Sequence, residues 1–320
     1  MITLWKKLLR KAEPAESALP PPATAVRATS PGHTAAFPPQ FTVSAGFASD
    51  TGCRRQLNED SWWYEHPQDE SALASKGILA VVADGMGGHA AGDVASKMAT
   101  TLVRLTYYGS RKQTHEALAE SFHAANRAIY QAAQKQSRLH GMGTTCTALV
   151  ICEGAAYSAQ VGDSRLYLVR DDQLYLMSED HSAVMEMVRR GRMSLEEARQ
   201  HEDKNVILRS LGTQPEARVA MWKAAFPIRD QDHFILCSDG LYDLLSDDEI
   251  RETVTSSEPQ AACDQLIALA RRRGGHDNIT ALVIRLRLKT ETDENDDVEL
   301  RPTREIEPVR PHHLNGRKKE

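Results

Sequence analysis

Five stretches of this 320-residue chain place an acid at the edge of an apolar run, beside a small or turn-forming residue. They are LNED (Glu59, Asp60), VVADG (Asp84), AQVGDSR (Asp163), FILCSDGL (Asp239) and GGHDNIT (Asp277). One such aspartate alone reads as a helix cap or an Asx turn. Five that bound strands of one domain converge at one side of a sheet, where carboxylates repel unless cations neutralise them. An all-carboxylate set completed by backbone carbonyls and water suits hard ions such as Mg²⁺ or Mn²⁺. Zinc would prefer His and Cys, and the histidines lack an HExxH spacing. His89, His181, His233 and His276 each stand near a motif and read as supporting or surface groups. In ADGMGGHAAG, Gly85 can bring its carbonyl against a metal because no Cβ obstructs it, and Gly87 and Gly88 can turn the chain away. A hard-metal pair beside a helix start made of small residues suits an anionic substrate, phosphate above all.

These acids need elements to carry them. FTVSAGFAS, SWWYEH, GILAVVAD, TTCTALVICE, AAYSAQVGD, SRLYLVRD and QLYLMS read as short strands divided by Gly, Asp and Asn. GDVASKMATTLVRLTYY and THEALAESFHAANRAIYQAAQ carry apolar residues at three- and four-residue spacing, as helices do. After residue 182 a second helical pair is predicted, SAVMEMVRRG and SLEEARQH. Strands ARVAMWKAA and DHFILCSD, helices SDDEIRETVT and AACDQLIALARRR, and a last strand NITALVIRLRL complete the order. Antiparallel runs with inserted helix pairs predict a layered α+β domain, not a βαβ repeat.

That domain is predicted over residues 41–288. Residues 1–40 combine a short basic amphipathic segment, MITLWKKLLRKA, with a Pro-rich linker expected to be disordered. The amphipathic segment is a frayed, solvated end or an anchor for acidic lipid or a partner groove. Residues 289–320 form a block-charged tail, also expected to be disordered. A net charge of −5 without a basic, aromatic-interleaved patch argues against nucleic-acid binding. No run approaches the length of a membrane span. The five cysteines form no CxxC pair, which predicts reduced thiols and a cytoplasmic protein.

Taken in order, the motifs RRQLNED (54–60), VVADGMGGH (81–89), GTTCTALV (143–150), VGDSRLYL (161–168), EDHS (179–182), SLGT (210–213), ILCSDGLYD (235–243) and DNIT (277–280) resemble the metal-dependent PPM (PP2C) protein Ser/Thr phosphatases, bacterial branch. The resemblance spans about residues 42–286. It implies a four-layer αββα sandwich and hydrolysis of phosphoserine and phosphothreonine in proteins through metal-activated water. It also implies two Mn²⁺ or Mg²⁺ ions and a third, looser one. By position Asp84 would bridge both ions, with Asp239 and Asp277 completing the first site. The Gly85 carbonyl, Glu59 and Asp60 would serve the second, and Asp163 with Asp239 the third. Arg55 matches the phosphate-binding arginine. Met86 stands where animal members carry a histidine proposed as general acid, and a thioether donates no proton. Residues 182–214 match the variable flap; Arg189, Arg190 and Arg192 are expected to face acidic or phosphorylated protein surfaces. The implied partners are phosphoproteins and a cognate Ser/Thr kinase pathway, and the expected state is a monomer. The alternative is a catalytically inactive phosphoprotein-binding module on the same fold, which predicts lost metal carboxylates.

Overall fold

In a computed structural model of the chain, which describes residues 41–87 and 91–289, the strands form two antiparallel sheets. The first runs β1 (Phe41–Asp50), β12 (Ile279–Leu288), β11 (His233–Cys237), β7 (Arg165–Arg170), β8 (Gln173–Leu176). The second runs β10 (Phe226–Pro227), β6 (Ala155–Val161), β5 (Cys146–Cys152), β3 (Ile78–Met86), β2 (Asp60–Glu65). Two short strands flank it: β4 (Gly143–Thr144) pairs with β3, and β9 (Ala220–Met221) with β6.

Strand alternation divides the apolar residues among three cores. In β3, Leu79, Val81 and Ala83 pack under helices α2 (Ala91–Gly109) and α3 (Thr114–Lys135), while Ala80 and Val82 point between the sheets. In β12, Ala281 and Val283 pack under α7 (Asp247–Ser256) and α8 (Pro259–Arg272), while Leu282, Ile284 and Leu286 point between the sheets. A period of two supplies both faces of each strand with apolar residues, so each sheet is covered on both sides. The result is the predicted αββα sandwich. The helices follow from local chemistry. α3 buries Leu118, Phe122, Ala125 and Ile129 at helical spacing. α7 opens with a capping box between Ser246 and Glu249, and α8 opens on Pro259.

Three elements differ from the sequence reading. The expected strand ARVAMWKAA contracts to Ala220–Met221; beyond it Trp222 keeps one backbone bond to the Ser158 carbonyl and donates its indole N–H to the Met177 carbonyl. α1 (Glu70–Lys76) and α6 (Asp239–Tyr242) were not predicted. α1 buries no residue and so shows no apolar stripe, and α6 has only four residues. The flap carries its two expected helices, α4 (Ala183–Arg189) and α5 (Leu195–Gln200). The amphipathic segment, the linker, the charged tail from residue 290, Gly88 and His89 lie outside the described residues.

Candidate metal centre

The alternation that fills the inter-sheet core also places acids at its end. Asp84 follows Ala80 and Val82 on the inner face of β3, and Asp60 precedes Trp62 and Tyr64 on the inner face of β2. The two aspartates are register partners. Across the cleft, Ser238 continues the inner face of β11 and Thr280 begins that of β12. Both hydroxyls donate to Asp60 Oδ2, at 2.7 and 2.6 Å, tying one sheet to the other. Asp60 Oδ1 and Asp239 Oδ1 are buried with no partner among the described residues. A buried, unpaired carboxylate oxygen costs about 1–3 kcal/mol or more unless a cation meets it.

The main chain around Asp84 is held firmly. Its N–H donates to Thr145 Oγ1 at 2.8 Å, and its carbonyl accepts from Thr145 N and Thr144 Oγ1. The carboxylate is therefore left facing other acids. Burial first, then Asp60, Asp239, Asp163 and Asp277, push its pKa well above the usual range. Asp239 is raised well above that range by burial and then by Asp163 and Asp277. Burial lifts Asp60 to about 6 against the pull of its two hydroxyl donors, and lifts Asp163, which also feels Asp180, to about 7. Glu59 is raised too, chiefly by burial. The cluster holds more negative charge than Arg55, its neighbouring cation, offsets.

Close backbone contact sets Glu59 in place. Gly85 N–H donates to the Glu59 carbonyl, and Glu59 N–H donates to Asn278 Oδ1. A Cβ at Gly85 would lie 2.1 Å from the Gly92 carbonyl oxygen, and one at Gly92 would lie 2.6 Å from Glu59 Oε1. The first turn of α2 can press on β3 and Glu59 only because both positions are glycine. Asp163 sits beyond Gly162, whose φ of 105° favours glycine and whose N–H donates to His181 Nδ1 at 3.0 Å. Tyr242 donates to the Asp163 carbonyl, and its ring lies 3.7 Å from the Arg165 guanidinium, which grips Asp180.

Asp277 Oδ1 accepts from Asn278 N–H, and Oδ2 accepts from Arg55 at 2.8 Å. Arg55 is half exposed, on the loop between β1 and β2. Among the described residues no three His, Cys, Asp or Glu side chains form a ready-made ligand cluster. Arg55 holds Asp277, and Ser238 with Thr280 holds Asp60. The donor set still fits hard divalent cations: it is all oxygen, mutually repulsive, and holds two buried oxygens unpartnered.

Sequence reasoning missed the supports. Asn278 is buried and joins Glu59 N–H, the Thr51 carbonyl and the Leu57 carbonyl, stitching the Arg55 loop to β12. Its only signal was its place after Asp277. Asp243, half-buried, raises both Asp163 and Asp239 and takes an ion pair from Lys204 of the flap at 2.5 Å. The flap arginines stand as follows. Arg189 pairs with Glu179 and Glu186, Arg190 pairs with Glu186, and Arg192 is exposed just beyond α4.

A sequence profile for protein phosphatase 2C matches residues 56–271, about two thirds of the chain. The chain belongs to the protein phosphatase 2C family. It is 36% identical over 248 residues to the serine/threonine phosphatase stp of Listeria innocua, covering 76% of this chain and 95% of that one. Its structure resembles the catalytic domain of the phosphatase PstP solved with two manganese ions, with a TM-score of 0.66 and 33% identity over 78% of this chain and all of that one. It also resembles PppA, a regulatory component of type VI secretion in Pseudomonas aeruginosa, with a TM-score of 0.63 and 32% identity over 76% of this chain and 97% of that one. A PP2C fold thus surrounds the acid cluster. Among the described residues no helix is long and apolar enough to cross a membrane.

Proposed function

We propose that this PP2C-family chain is a protein serine/threonine phosphatase that hydrolyses phosphoserine and phosphothreonine at a centre for two Mn²⁺ or Mg²⁺ ions. The observation that carries this reading is the set of mutually raised carboxylates at the end of the inter-sheet cleft, beside a half-exposed arginine. When bound, such ions supply Lewis acidity and make water a nucleophile at neutral pH. Asp84 would serve both ions, Asp239 and Asp277 would help to hold one, and Glu59, Asp60 and the Gly85 carbonyl the other. Asp163 with Asp239 would hold a third, looser ion.

The chain's own residues do the remaining work. Arg55 exchanges its bond to Asp277 for two oxygens of the substrate phosphate, which its planar fork fits. Thr144 and Thr145 hold the Asp84 backbone so that its carboxylate cannot follow the substrate out. Met86 supplies no proton to the leaving serine or threonine oxygen, so that proton would come from water at the centre or its transfer would matter less. The five cysteines are unpaired, in keeping with a cytoplasmic enzyme. Partners on this reading are phosphoproteins, a bacterial Ser/Thr kinase acts in opposition, and the working unit is a monomer. The inactive-module alternative requires missing metal carboxylates, and Glu59, Asp84, Asp239 and Asp277 are all present.

An aryl phosphate and a phosphothreonine peptide test the reading. Both should be hydrolysed with added Mn²⁺ or Mg²⁺ and spared in chelator. Turnover that survives thorough chelation would refute it.

A further inference from the structure

The flap satisfies most of its cations with neighbouring carboxylates. Arg189 and Arg190 pair as described, Arg199 with Asp247, and Lys204 with Asp243. Arg209, at the flap's exit, is half-buried and has no ion pair among the described residues. It stands among groups that gain nothing from it: its charge adds to burial in lowering His181 and Arg189. A partly desolvated guanidinium left without a carboxylate is costly unless a ligand supplies one.

Arg209 lines a groove with Val161, Leu208, Ser210, Thr213 and Arg218. Arg218 is exposed and likewise without an ion pair among the described residues. Glu216 lines the same groove, which leaves two guanidiniums to one carboxylate. Leu208, 54% exposed, gives it an apolar rim. The groove reaches the loop that carries Asp163: Leu208 N–H donates to the His181 carbonyl, and His181 Nδ1 accepts from the Gly162 N–H. Val161 lies two residues before Asp163, and Thr213 and Ser210 crowd Gly143, the register partner of Met86. A polypeptide with its phosphoresidue at the metal centre extends about 3.3 Å per residue, so side chains within a few positions of the phosphate reach this groove.

We propose that this groove receives the substrate chain flanking the phosphoresidue, and that Arg209 and Arg218 select acidic side chains there. The proposal rests on the phosphatase reading and adds a sequence preference to it. Carboxylates suit both arginines, because the guanidinium fork binds two oxygens in one plane.

The test uses the full chain with Mn²⁺ and three substrates: an aryl phosphate, a phosphothreonine peptide flanked by Asp and Glu, and the same peptide flanked by Ala. The wild-type protein should prefer the acidic peptide. Arg209→Gln with Arg218→Gln should lower kcat/KM for that peptide about tenfold, mainly through KM, as two partly exposed charge pairs are lost. The other two substrates should stay within about twofold, because neither offers a flanking carboxylate. Arg218→Glu alone alters only an exposed side chain and should reverse the preference, so that the Ala-flanked peptide is cleaved better than the acidic one. Equal loss on all three substrates, or no loss on the acidic one, overturns the groove. Wild-type protein that cleaves none of them overturns the phosphatase reading itself; equal cleavage of both peptides overturns the groove alone.

Discussion

At the scale of single residues, Asp239 separates catalysis from stability. Its carboxylate is raised by burial and by its acidic neighbours, and its Oδ1 has no partner among the described residues. Asp239→Asn removes a repelling charge and a ligand together. Turnover of an aryl phosphate at saturating Mn²⁺ should fall by about 10²-fold or more, the scale of losing one electrostatic stabiliser. In chelator the same variant should melt at or above the wild type, because like-charge repulsion is relieved. A rate within about twofold of wild type would remove Asp239 from the ligand set. Arg55 behaves differently. Its bond to Asp277 is half exposed, so Arg55→Ala should change stability by about 1 kcal/mol or less. Steady-state kinetics should show the effect in KM, and a change confined to kcat would contradict phosphate binding.

At the scale of elements, the crossing of α2 over β3 decides whether Glu59 can reach the centre. Gly92→Ala would set a Cβ 2.6 Å from Glu59 Oε1, so either the helix start or the carboxylate must move. The expected cost is about 1–3 kcal/mol in urea unfolding, together with weaker Mn²⁺ binding in titration calorimetry. Unchanged binding would mean that Glu59 holds no ion. This crossing also marks how far the sequence could be read. The acids were legible because each one stands at or near the edge of an apolar strand, and strand alternation carries its own face assignment into Asp60 and Asp84. The helix pairs were legible from their apolar stripes. What escaped was chemistry without periodicity. Asn278 ties three backbone groups together through one amide, and nothing in its neighbours signals that. The flap arginines looked available because their partners, Glu179 and Glu186, become partners only once α4 has formed. Arg209 and Arg218 lie in no basic run, and the fold alone brings them to one groove.

At the scale of the whole molecule, two sheets pack face to face, and the end of the cleft between them holds more negative charge than it can stabilise alone. Asp60 and Asp163 titrate at about 6 and about 7 in the folded chain, against an ordinary value of 3.8, and Asp84, Asp239 and Glu59 are also displaced upward. The folded state therefore holds these protons more tightly than the unfolded chain does. Their contribution to stability is complete below about pH 4 and is lost as pH rises through about 6 to 7. Divalent ions compete with those protons for the same oxygens. The rise in melting temperature on adding Mn²⁺ to chelator-treated protein should thus be small near pH 5 and grow towards pH 8, approaching the equivalent of about 2.7 kcal/mol at a hundredfold excess over Kd. His181, lowered to about 4 by burial, and His233, also lowered by burial, favour the folded state in the opposite direction as pH rises. They are present with and without metal, so the difference between the two melting curves cancels them. Scanning fluorimetry across this range in chelator and in Mn²⁺ reads that difference directly. An increment that stays level or shrinks as pH rises would place the ions away from these carboxylates.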